Sequence, residues 1–544
     1  MKNGLTKGFF FVMLLTLSSD LAAQSGTTSS NAFVYGMLAV VGLIILALVL
    51  QVSDNLMLIE AKQSGISDKT NFSLFPKINE IFRPDTPEYV SNTPVKVLTK
   101  GHDILLEGEA GDNIAAGFQG KTFAIQPPNF IGISPIPKVT VEEGAMVKAG
   151  DPLFFDKKVP DVMYASPVSG KVVGINRGAK RSIANVVIES DGEMASRDYA
   201  TFDVINNSRE ELVAYLMDSG VWPMIRQRPY NIVPEATSVP RDIFISTFDT
   251  APLAPNLNHA VAGREKDFQA GLDILNQLTS GKVYLGLSAN GETAPSDAFT
   301  TATGVEKVYF QGAHPAGNVG VQIHHIRPIG TQDKVWTVDV QTAITIGTLF
   351  TQGRFDASRL VALVGAELET PQYVRTFQGA NIGELIAGNL KGDNVRLVSG
   401  DVLTGDKASA HGFLGYHDDM VTTIAEGDYY EMFGWLLPLT PRPSISNTYP
   451  NALFGDLKFE ADTNTHGERR AFVVTGQYEQ VTPMDVLVQP LMKAILVNDY
   501  ERMEGLGLHE LVEEDVALAE FVCTSKQPLQ SILREGLEMM REQG

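Results

Sequence analysis

One segment joins residue types that could do chemistry: the glycine-rich turn from Phe310 to Gly320, which carries His314. It follows a short apolar run, Val308–Phe310, whose residue types predict a strand. Backbone N–H groups in such a turn can bind an anion, and the imidazole ring can donate or accept a hydrogen bond. The same pattern fits a tight turn in which His314 only caps local carbonyl groups, so the sequence leaves both interpretations open.

Two adjacent lysines, Lys157 and Lys158, lie in a β-rich stretch whose glycines suit tight turns between short strands, among them Gly144 and Gly150. This stretch resembles the lipoyl and biotinyl carrier domains, which are barrel-sandwich hybrids. The resemblance implies a cofactor on a lysine at a hairpin tip, near which Lys157 falls. The alternative is a barrel reused as a scaffold with Lys157 as a solvated surface group, because a shared fold does not carry function.

Three other motifs do not meet the requirements of the chemistry that they suggest. Gly120-Lys121-Thr122 resembles the end of a phosphate-binding loop, but Ala115 stands where a glycine is required. The run His509–Glu513 lacks the second histidine of a zinc-protease helix. His324 and His325 fall in a strand-like run, which predicts that their rings point to opposite faces and that one metal ion cannot easily use both.

Composition narrows the class of protein further. The chain has 544 residues, with 43 Lys and Arg against 64 Asp and Glu, a net charge of −21. This charge argues against a nucleic-acid partner and against electrostatic docking on anionic lipid. The single cysteine, Cys523, excludes an iron–sulfur cluster or a thiolate zinc site held by this chain alone. We therefore predict no metal site.

The N-terminal residues predict a membrane anchor. Residues 1–24 have the layout of a secretory signal peptide, with a positively charged start, a short apolar core and small residues before a cleavage point. Residues 32–52 contain an uncharged apolar run long enough for one transmembrane helix. Lys62 and Lys69 follow this run and no lysine or arginine lies just before it, which predicts that the rest of the chain is cytoplasmic.

The remaining sequence predicts a multidomain chain of mixed α+β and α/β class. Helical patterns alternate with strand patterns after residue 204, as in the helix Lys266–Leu278 between two apolar strands, which favours a Rossmann-like α/β unit with a parallel sheet. The spacing of glycines after Arg359 resembles that of β-grasp domains of the soluble-ligand-binding type. The predicted domains are a barrel-sandwich β domain at 75–203, the α/β domain at 204–340, the β-grasp domain at 355–405 and a mixed, mainly helical C-terminal domain at 406–544.

Several motifs, in the same order along the chain, resemble the A subunit of the sodium-translocating NADH:quinone reductase. The similarity runs from about Phe75 to Gly544. The motifs that carry it are Phe154–Lys158, Ala165–Val172, Asn176–Arg181, Asp218–Trp222, Arg226–Pro229, Asp249–Leu253, Gly271–Leu275, Gly312–Gly317, Ser399–Gly405, Phe433–Trp435, Pro483–Asp485, Glu513–Asp515 and Phe521–Cys523.

This resemblance implies a function for the chain as one subunit of a complex in the bacterial inner membrane. The complex passes electrons from NADH to a quinone and exports Na⁺, with the flavins and iron–sulfur centres on partner subunits. The chain would cap the large membrane subunit on the cytoplasmic side, without a catalytic residue, a flavin or an iron–sulfur centre of its own. If it borders the quinone, His314 or Trp222 could supply the hydrogen-bond donor that such a pocket needs.

The N-terminal residues differ from the family pattern, and other functions remain open. Family members commonly begin near the position of Phe75, so the preceding residues predict a tether that this chain adds. A lipoyl- or biotinyl-type carrier, or an assembly scaffold without a redox role, remain the alternatives to a reductase subunit.

Overall fold

The computed structural model describes residues 35–42, 45–46, 49, 53, 86–90, 93–200, 202–204, 206–434, 442–445 and 457–543. It divides into two compact units, Met1–Asp85 and Thr86–Gly544. The predicted signal peptide at 1–24 lies outside the described residues, as do several residues of the predicted span at 32–52. In the first unit, residues 35–42 are helical and expose apolar side chains such as Tyr35 and Leu38.

Within the described part of the chain, no helix combines the length and the apolar character needed to cross a membrane. The transmembrane helix at 32–52 therefore stays a prediction.

The barrel-sandwich domain in the second unit consists of two small antiparallel sheets. Gly144 and Gly150 take positive φ angles of 92° and 91° at turns between its strands, as the sequence predicts. One sheet has the order β3-β9-β8-β5 and the other β4-β6-β7. The strands are β3 (Thr122–Ile125), β4 (Lys138–Val139), β5 (Met146–Val147), β6 (Pro152–Asp156), β7 (Val159–Ala165), β8 (Gly170–Arg177) and β9 (Ile183–Ser190).

The α/β domain has a mainly parallel sheet of order β1-β13-β12-β11-β14-β10, in which β10 is antiparallel to β14. Its strands are β1 (Val95–Val97), β10 (Arg226–Arg228), β11 (Ile243–Ser246), β12 (Val283–Ser288), β13 (Glu306–Gln311) and β14 (Val335–Thr337). Its helices are α1 (Arg209–Ser219), α2 (Leu257–Val261), α3 (Glu265–Leu278), α4 (Asp297–Thr300), α5 (Val319–Ile326) and α6 (Val340–Gln352). The predicted α3 helix and the parallel sheet are confirmed.

The strand predicted around His324 and His325 is wrong, because both residues lie in α5. His324 Nδ1 lies 2.9 Å from Glu510 Oε2, and His325 Nε2 lies 2.7 Å from the carbonyl oxygen of Pro483. A short apolar run does not distinguish a strand from one face of a buried helix. The two histidines join the α/β domain to the C-terminal helices.

The β-grasp sheet has the order β18-β17-β19-β15-β16-β2. It continues beyond residue 405, so that predicted boundary falls inside the sheet, and it takes β2 from the range 75–203 that was predicted for the barrel domain. Its elements are β2 (Ile114–Phe118), β15 (Ser358–Val364), β16 (Gln372–Phe377), α7 (Ile382–Leu385), β17 (Val395–Ser399), β18 (Asp406–Ala408) and β19 (Met420–Ala425).

The last described segment, 457–543, is helical from Tyr478 onward, as the apolar stripe predicts. Its helices bury leucines and valines against Leu98, Phe310 and Val321 of the α/β domain in one hydrophobic cluster. The helices are α8 (Tyr478–Val481), α9 (Val488–Leu496), α10 (Tyr500–Gly505), α11 (Glu513–Phe521) and α12 (Leu529–Gln543).

Candidate functional site

His314 lies in the loop that follows β13, at the carboxyl edge of the parallel sheet. Its backbone N–H donates to Asp103 Oδ1 at 2.7 Å, and its ring Nδ1 lies 3.1 Å from Thr250 Oγ1. Thr250 Oγ1 also accepts a hydrogen bond of 2.9 Å from the backbone N–H of Gly317. These bonds hold the loop after β13 against the loop after β11.

The His314 ring is almost wholly buried, with 3% of the residue exposed, and its Nε2 atom has no hydrogen-bond partner among the residues that the structure describes. Burial lowers the pKa of His314, so the ring is neutral at physiological pH. When Thr250 donates its hydroxyl proton to Nδ1, the neutral ring carries its own proton on Nε2. The ring then carries one buried N–H donor at Nε2.

The sheet order places a topological switch point between β11 and β14, because the chain leaves β11 to one side and adds β14 on the other. Open α/β sheets bind ligands in the crevice outside the carboxyl ends of such strands. Asp249 follows β11 and Asp339 follows β14 at this edge. Residues of the β-grasp domain lie close enough to perturb both carboxylates, namely Asp401, Asp419 and Arg359.

The ionisable groups around this crevice have perturbed pKa values. Burial raises the pKa of Asp419 to about 8, and the negative charge of Asp249 adds to the shift. Surrounding protein raises the pKa of Asp249 to about 6, although its side chain keeps contact with solvent. Burial and the positive charge of Arg226 lower the pKa of His417 to about 3. The carboxyl ends of β11 and β14 therefore lie beside two acids, Asp249 and Asp419, whose pKa values are raised above the usual carboxyl range.

Asp339 differs from the other acids in the crevice. Burial opposes its ionisation, but the Arg359 guanidinium, with Nη1 at 3.5 Å from Oδ1, and hydrogen bonds from Thr342 hold the pKa of Asp339 below its usual range. Asp339 is also the N-cap of α6, where a negative charge is favourable. It is a fixed anion that positions Arg359.

Trp222, the other residue that the resemblance singles out, is fully buried. Its indole Nε1 donates to the carbonyl oxygen of Pro234 at 2.8 Å, and its ring centroid lies 5.3 Å from that of Trp336. It belongs to the main hydrophobic core, whereas Phe310 and Ala316, beside His314, belong to the cluster shared with the C-terminal helices. The indole N–H is therefore already used inside the fold.

The lysine pair lies at the tip of the β6–β7 hairpin, where Lys157 and Lys158 are exposed. Asp156 shapes this turn, because its Oδ1 accepts from the backbone N–H of Lys158 at 3.0 Å and its Oδ2 from that of Ser134 at 3.2 Å. The hairpin tip presents both amines to solvent.

Two of the other motifs have structural partners. The backbone N–H of Lys121 and the hydroxyl of Thr122 both donate to the Glu384 carboxylate, which joins the barrel to α7. Cys523 is buried and lies 2.9 Å from the hydroxyl of Tyr478.

Sequence reasoning did not identify a buried ion-pair cluster that joins the α/β domain to α11. Arg228 donates to Asp515 Oδ2 at 2.6 Å and to Glu514 Oε1 at 2.5 Å, and the Arg228 and Asp515 side chains are 2% and 0% exposed. Asp515 Oδ2 also accepts from the backbone N–H of Val512 at the start of α11. Both halves of the cluster stand in motifs of the family resemblance, but nothing in the sequence pairs them.

The fold and this edge of the sheet define a chain assembled from a barrel-sandwich hybrid, a doubly wound α/β domain and a β-grasp domain. Three family models match in that order: the NqrA N-terminal barrel-sandwich hybrid domain over residues 96–191, the NqrA second alpha/beta domain over 207–355, and the NQRA C-terminal domain over 360–410.

Similarity to curated proteins identifies the family. The chain is 38% identical to the A subunit of the Na(+)-translocating NADH-quinone reductase from Saccharophagus degradans over 450 residues, 82% of this chain and 99% of that protein. The proteins of the same name from Yersinia pestis and Rhodopirellula baltica are 38% and 37% identical over 82% of this chain, and 99% and 98% of those proteins are covered. The chain belongs to the NqrA family, the A subunits of the Na⁺-translocating NADH-quinone reductases.

Two solved structures of an NAD⁺-reducing [NiFe]-hydrogenase match at 13% and 12% identity, covering 43% and 64% of this chain and 53% and 67% of those chains. Their TM-scores of 0.30 and 0.33 are too low to bear on the fold or the function.

Proposed function

We propose that this chain works as a subunit of a Na⁺-translocating NADH:quinone oxidoreductase, which couples electron transfer from NADH to a quinone with Na⁺ export. The observation that carries the proposal is the 38% identity over 99% of the length of a curated relative. Flavins and iron–sulfur centres would lie on partner subunits, and this chain would have no catalytic activity alone.

The chain would cap the membrane subunits, chiefly the large one, on the cytoplasmic side of the bacterial inner membrane. The apolar run at 32–52 would be its single anchor, with Lys62 and Lys69 on the cytoplasmic side. The anchor would include the helical residues 35–42, whose apolar side chains are exposed. Such a tether would make rebinding to the partner subunits effectively intramolecular.

Within the capped complex, His314 would border the quinone. A quinone carbonyl needs a hydrogen-bond donor in an apolar setting, and a neutral His314 ring with a proton on Nε2 provides one. Acidic neighbours, namely Asp103, Asp401 and Glu514, disfavour an anionic ligand but not a neutral carbonyl. Trp222 would contribute only through packing, since its indole N–H is bonded to Pro234.

The test uses the complex purified through a tag on this chain and assayed for Na⁺-stimulated NADH:quinone reduction. We expect His314→Phe, which keeps an aromatic ring but has no N–H donor, to raise the KM for quinone by about tenfold through the loss of one hydrogen bond, with NADH oxidation by an artificial acceptor unchanged. His411→Phe, at an exposed histidine of the β-grasp domain, is the control. An unchanged KM would remove His314 from the quinone site, and a tagged chain that brings down no flavin-bearing membrane subunit would refute the reductase proposal.

The exposed hairpin lysines favour a second candidate, a lipoyl- or biotinyl-type carrier. Mass spectrometry of the full chain and of its tryptic peptides tests it. A cofactor on Lys157 or Lys158 adds a fixed mass to the chain and to the peptide that contains that lysine. An unmodified peptide from cells that lipoylate or biotinylate their own carriers would exclude the carrier.

A further inference from the structure

One exposed segment, Asp428–Phe433, has a composition that its fold does not explain. Tyr430 is 105% exposed and Met432 85%, and Tyr429 and Phe433 are 45% and 53% exposed. Four large apolar or aromatic side chains thus face solvent within five consecutive residues. Scattered exposed apolar residues are ordinary, but a cluster of this kind marks an interaction surface. We name Asp428–Phe433 the aromatic loop.

Hydrogen bonds fasten the aromatic loop at its base. The backbone N–H of Gly427 donates to Thr463 Oγ1 at 2.9 Å, and the Asn464 side chain donates to the carbonyl oxygen of Tyr429 at 2.8 Å. The Tyr429 hydroxyl donates to Asp462 Oδ2 at 2.6 Å. The loop is therefore held in a conformation that presents Tyr430 and Met432, which lowers the entropy cost of binding.

Charge decides which partner suits the aromatic loop. Residues 426–434 contain three acids and no lysine or arginine. Glu431 is paired with Arg442 at 2.8 Å and Glu426 with Arg396 at 2.6 Å, whereas Asp428 is exposed. With a net charge of −21, the chain repels anionic lipid and a second copy of itself. The cytoplasmic loops of membrane proteins, in contrast, carry an excess of lysine and arginine.

We propose that the aromatic loop docks on an apolar patch that lysine and arginine border on the cytoplasmic face of a membrane-embedded protein subunit. Tyr430 and Met432 would fill the apolar centre, and Asp428 would face the basic border. Tyrosine, phenylalanine and methionine are enriched in the buried centres of protein interfaces, where a few such residues carry most of the binding free energy. This inference rests on the proposed function, because it names the surface through which the chain would cap its complex.

The test measures how much membrane subunit the tagged full chain retains in mild detergent. We expect the double variant Tyr430→Ser/Met432→Ser to retain at least about tenfold less than the parent chain, the usual effect of truncating central interface residues. Asp428→Lys should weaken retention at low salt and make it less dependent on salt. Met146→Ser and Glu193→Lys, at exposed positions of the barrel domain, are the matched controls.

A photo-crosslinking amino acid at position 430 identifies the occupant directly. An adduct with a lysine- or arginine-rich peptide of a membrane subunit is the expected result. An adduct with lipid or with a second copy of this chain would overturn the proposal. So would a double variant that has the melting temperature of the parent chain and retains as much membrane subunit as the parent chain does. If the parent chain and the loop variants retain membrane subunits equally, the docking proposal is wrong and the proposed function stands. If the parent chain retains no membrane subunit, the proposed function is wrong as well.

Discussion

At the level of single residues, buried polar atoms without a hydrogen-bond partner in the described structure occur in settings of different kinds. Arg228 Nε and Asp515 Oδ1 lack partners inside an otherwise well-bonded ion pair, whereas His314 Nε2 is the free end of a neutral ring at a loop edge. The unsatisfied atoms of the ion pair belong to a structural contact, whereas the free His314 Nε2 calls for an explanation of its own.

Breaking the Arg228–Asp515 pair should be strongly destabilising. We expect Arg228→Met to lower the free energy of unfolding by about 3–5 kcal/mol, because the Asp515 carboxylate is left buried without its cation. Chemical denaturation of the full chain measures this. Arg197→Met, which removes a more exposed partner of Asp218, should cost no more than about 1 kcal/mol. Equal losses of unfolding free energy in the two variants would show that the buried pair stabilises the chain no more than the exposed pair does.

Asp419 should make stability depend on pH. Its pKa rises from 3.8 to about 8 because burial favours the protonated acid. Its contribution to stability is therefore complete below about pH 4 and is lost as the pH rises toward 8. We expect the stability of Asp419→Asn relative to the parent to increase between pH 5 and pH 9, since asparagine stays neutral. Asp428→Asn, at an exposed position, should show no such trend in the same denaturation series.

At the level of elements, the close packing of α3 against α6 depends on two glycines. A Cβ atom at Gly271 of α3 would lie 2.0 Å from the carbonyl oxygen of Ala343, and one at Gly347 of α6 would lie 1.7 Å from that of Asp267. Both obstacles are backbone atoms, which cannot rotate away. The two helices can approach this closely only because neither residue has a side chain.

Alanine at either position should separate the helices. We expect Gly271→Ala and Gly347→Ala each to lower the melting temperature by several degrees or prevent folding, an overpacking cost of about 1–3 kcal/mol or more. Gly505→Ala in α10 meets no atom within 4 Å, so it should stabilise the chain by up to about 1 kcal/mol through helix propensity. Tolerance of alanine at both Gly271 and Gly347 would contradict the packing described.

Sequence patterns predicted the long elements well and short apolar runs less well. The helix α3 and the parallel strands of the α/β domain have clear periods and lengths. The run around His324 was misassigned because a short apolar run fits both a strand and one face of a buried helix. The contacts of its histidines with Glu510 and Pro483 are distant in sequence and gave no local signal. His314 was predicted as a site candidate from its glycine-rich turn, and its role stays a prediction. The burial of Trp222 against Trp336, with its indole N–H bonded to Pro234, has no local signal in the sequence.

At the level of the whole molecule, the C-terminal helices complete a core that begins elsewhere in the chain. Leu98, Phe310 and Val321 pack in the same hydrophobic cluster as Leu491 and Leu533. No single segment could have shown this cluster, because its members come from three separate parts of the sequence.

Deleting residues 477–544 should therefore leave the α/β domain with an exposed apolar face. We expect the truncated chain to aggregate on expression, since a contiguous apolar surface of this kind promotes association. Size-exclusion chromatography checks the result. A chain that begins at Thr86 is the control, and it should stay monodisperse with an unchanged melting temperature because Thr86–Gly544 is compact by itself. A soluble, monodisperse C-terminal deletion would contradict the shared core.

The strand β1 has a consequence for how this protein is made on the ribosome. Val95 pairs in parallel with Tyr309, so the first strand of the α/β sheet emerges long before its neighbour exists. At about 5–20 residues per second, the roughly 210 residues between them take about 10–40 s to synthesise. During that interval the barrel can fold, while the strand beside it waits unpaired. Early translation thus yields a folded barrel domain joined to unfolded chain, and the α/β sheet is completed only after most of the chain has been synthesised.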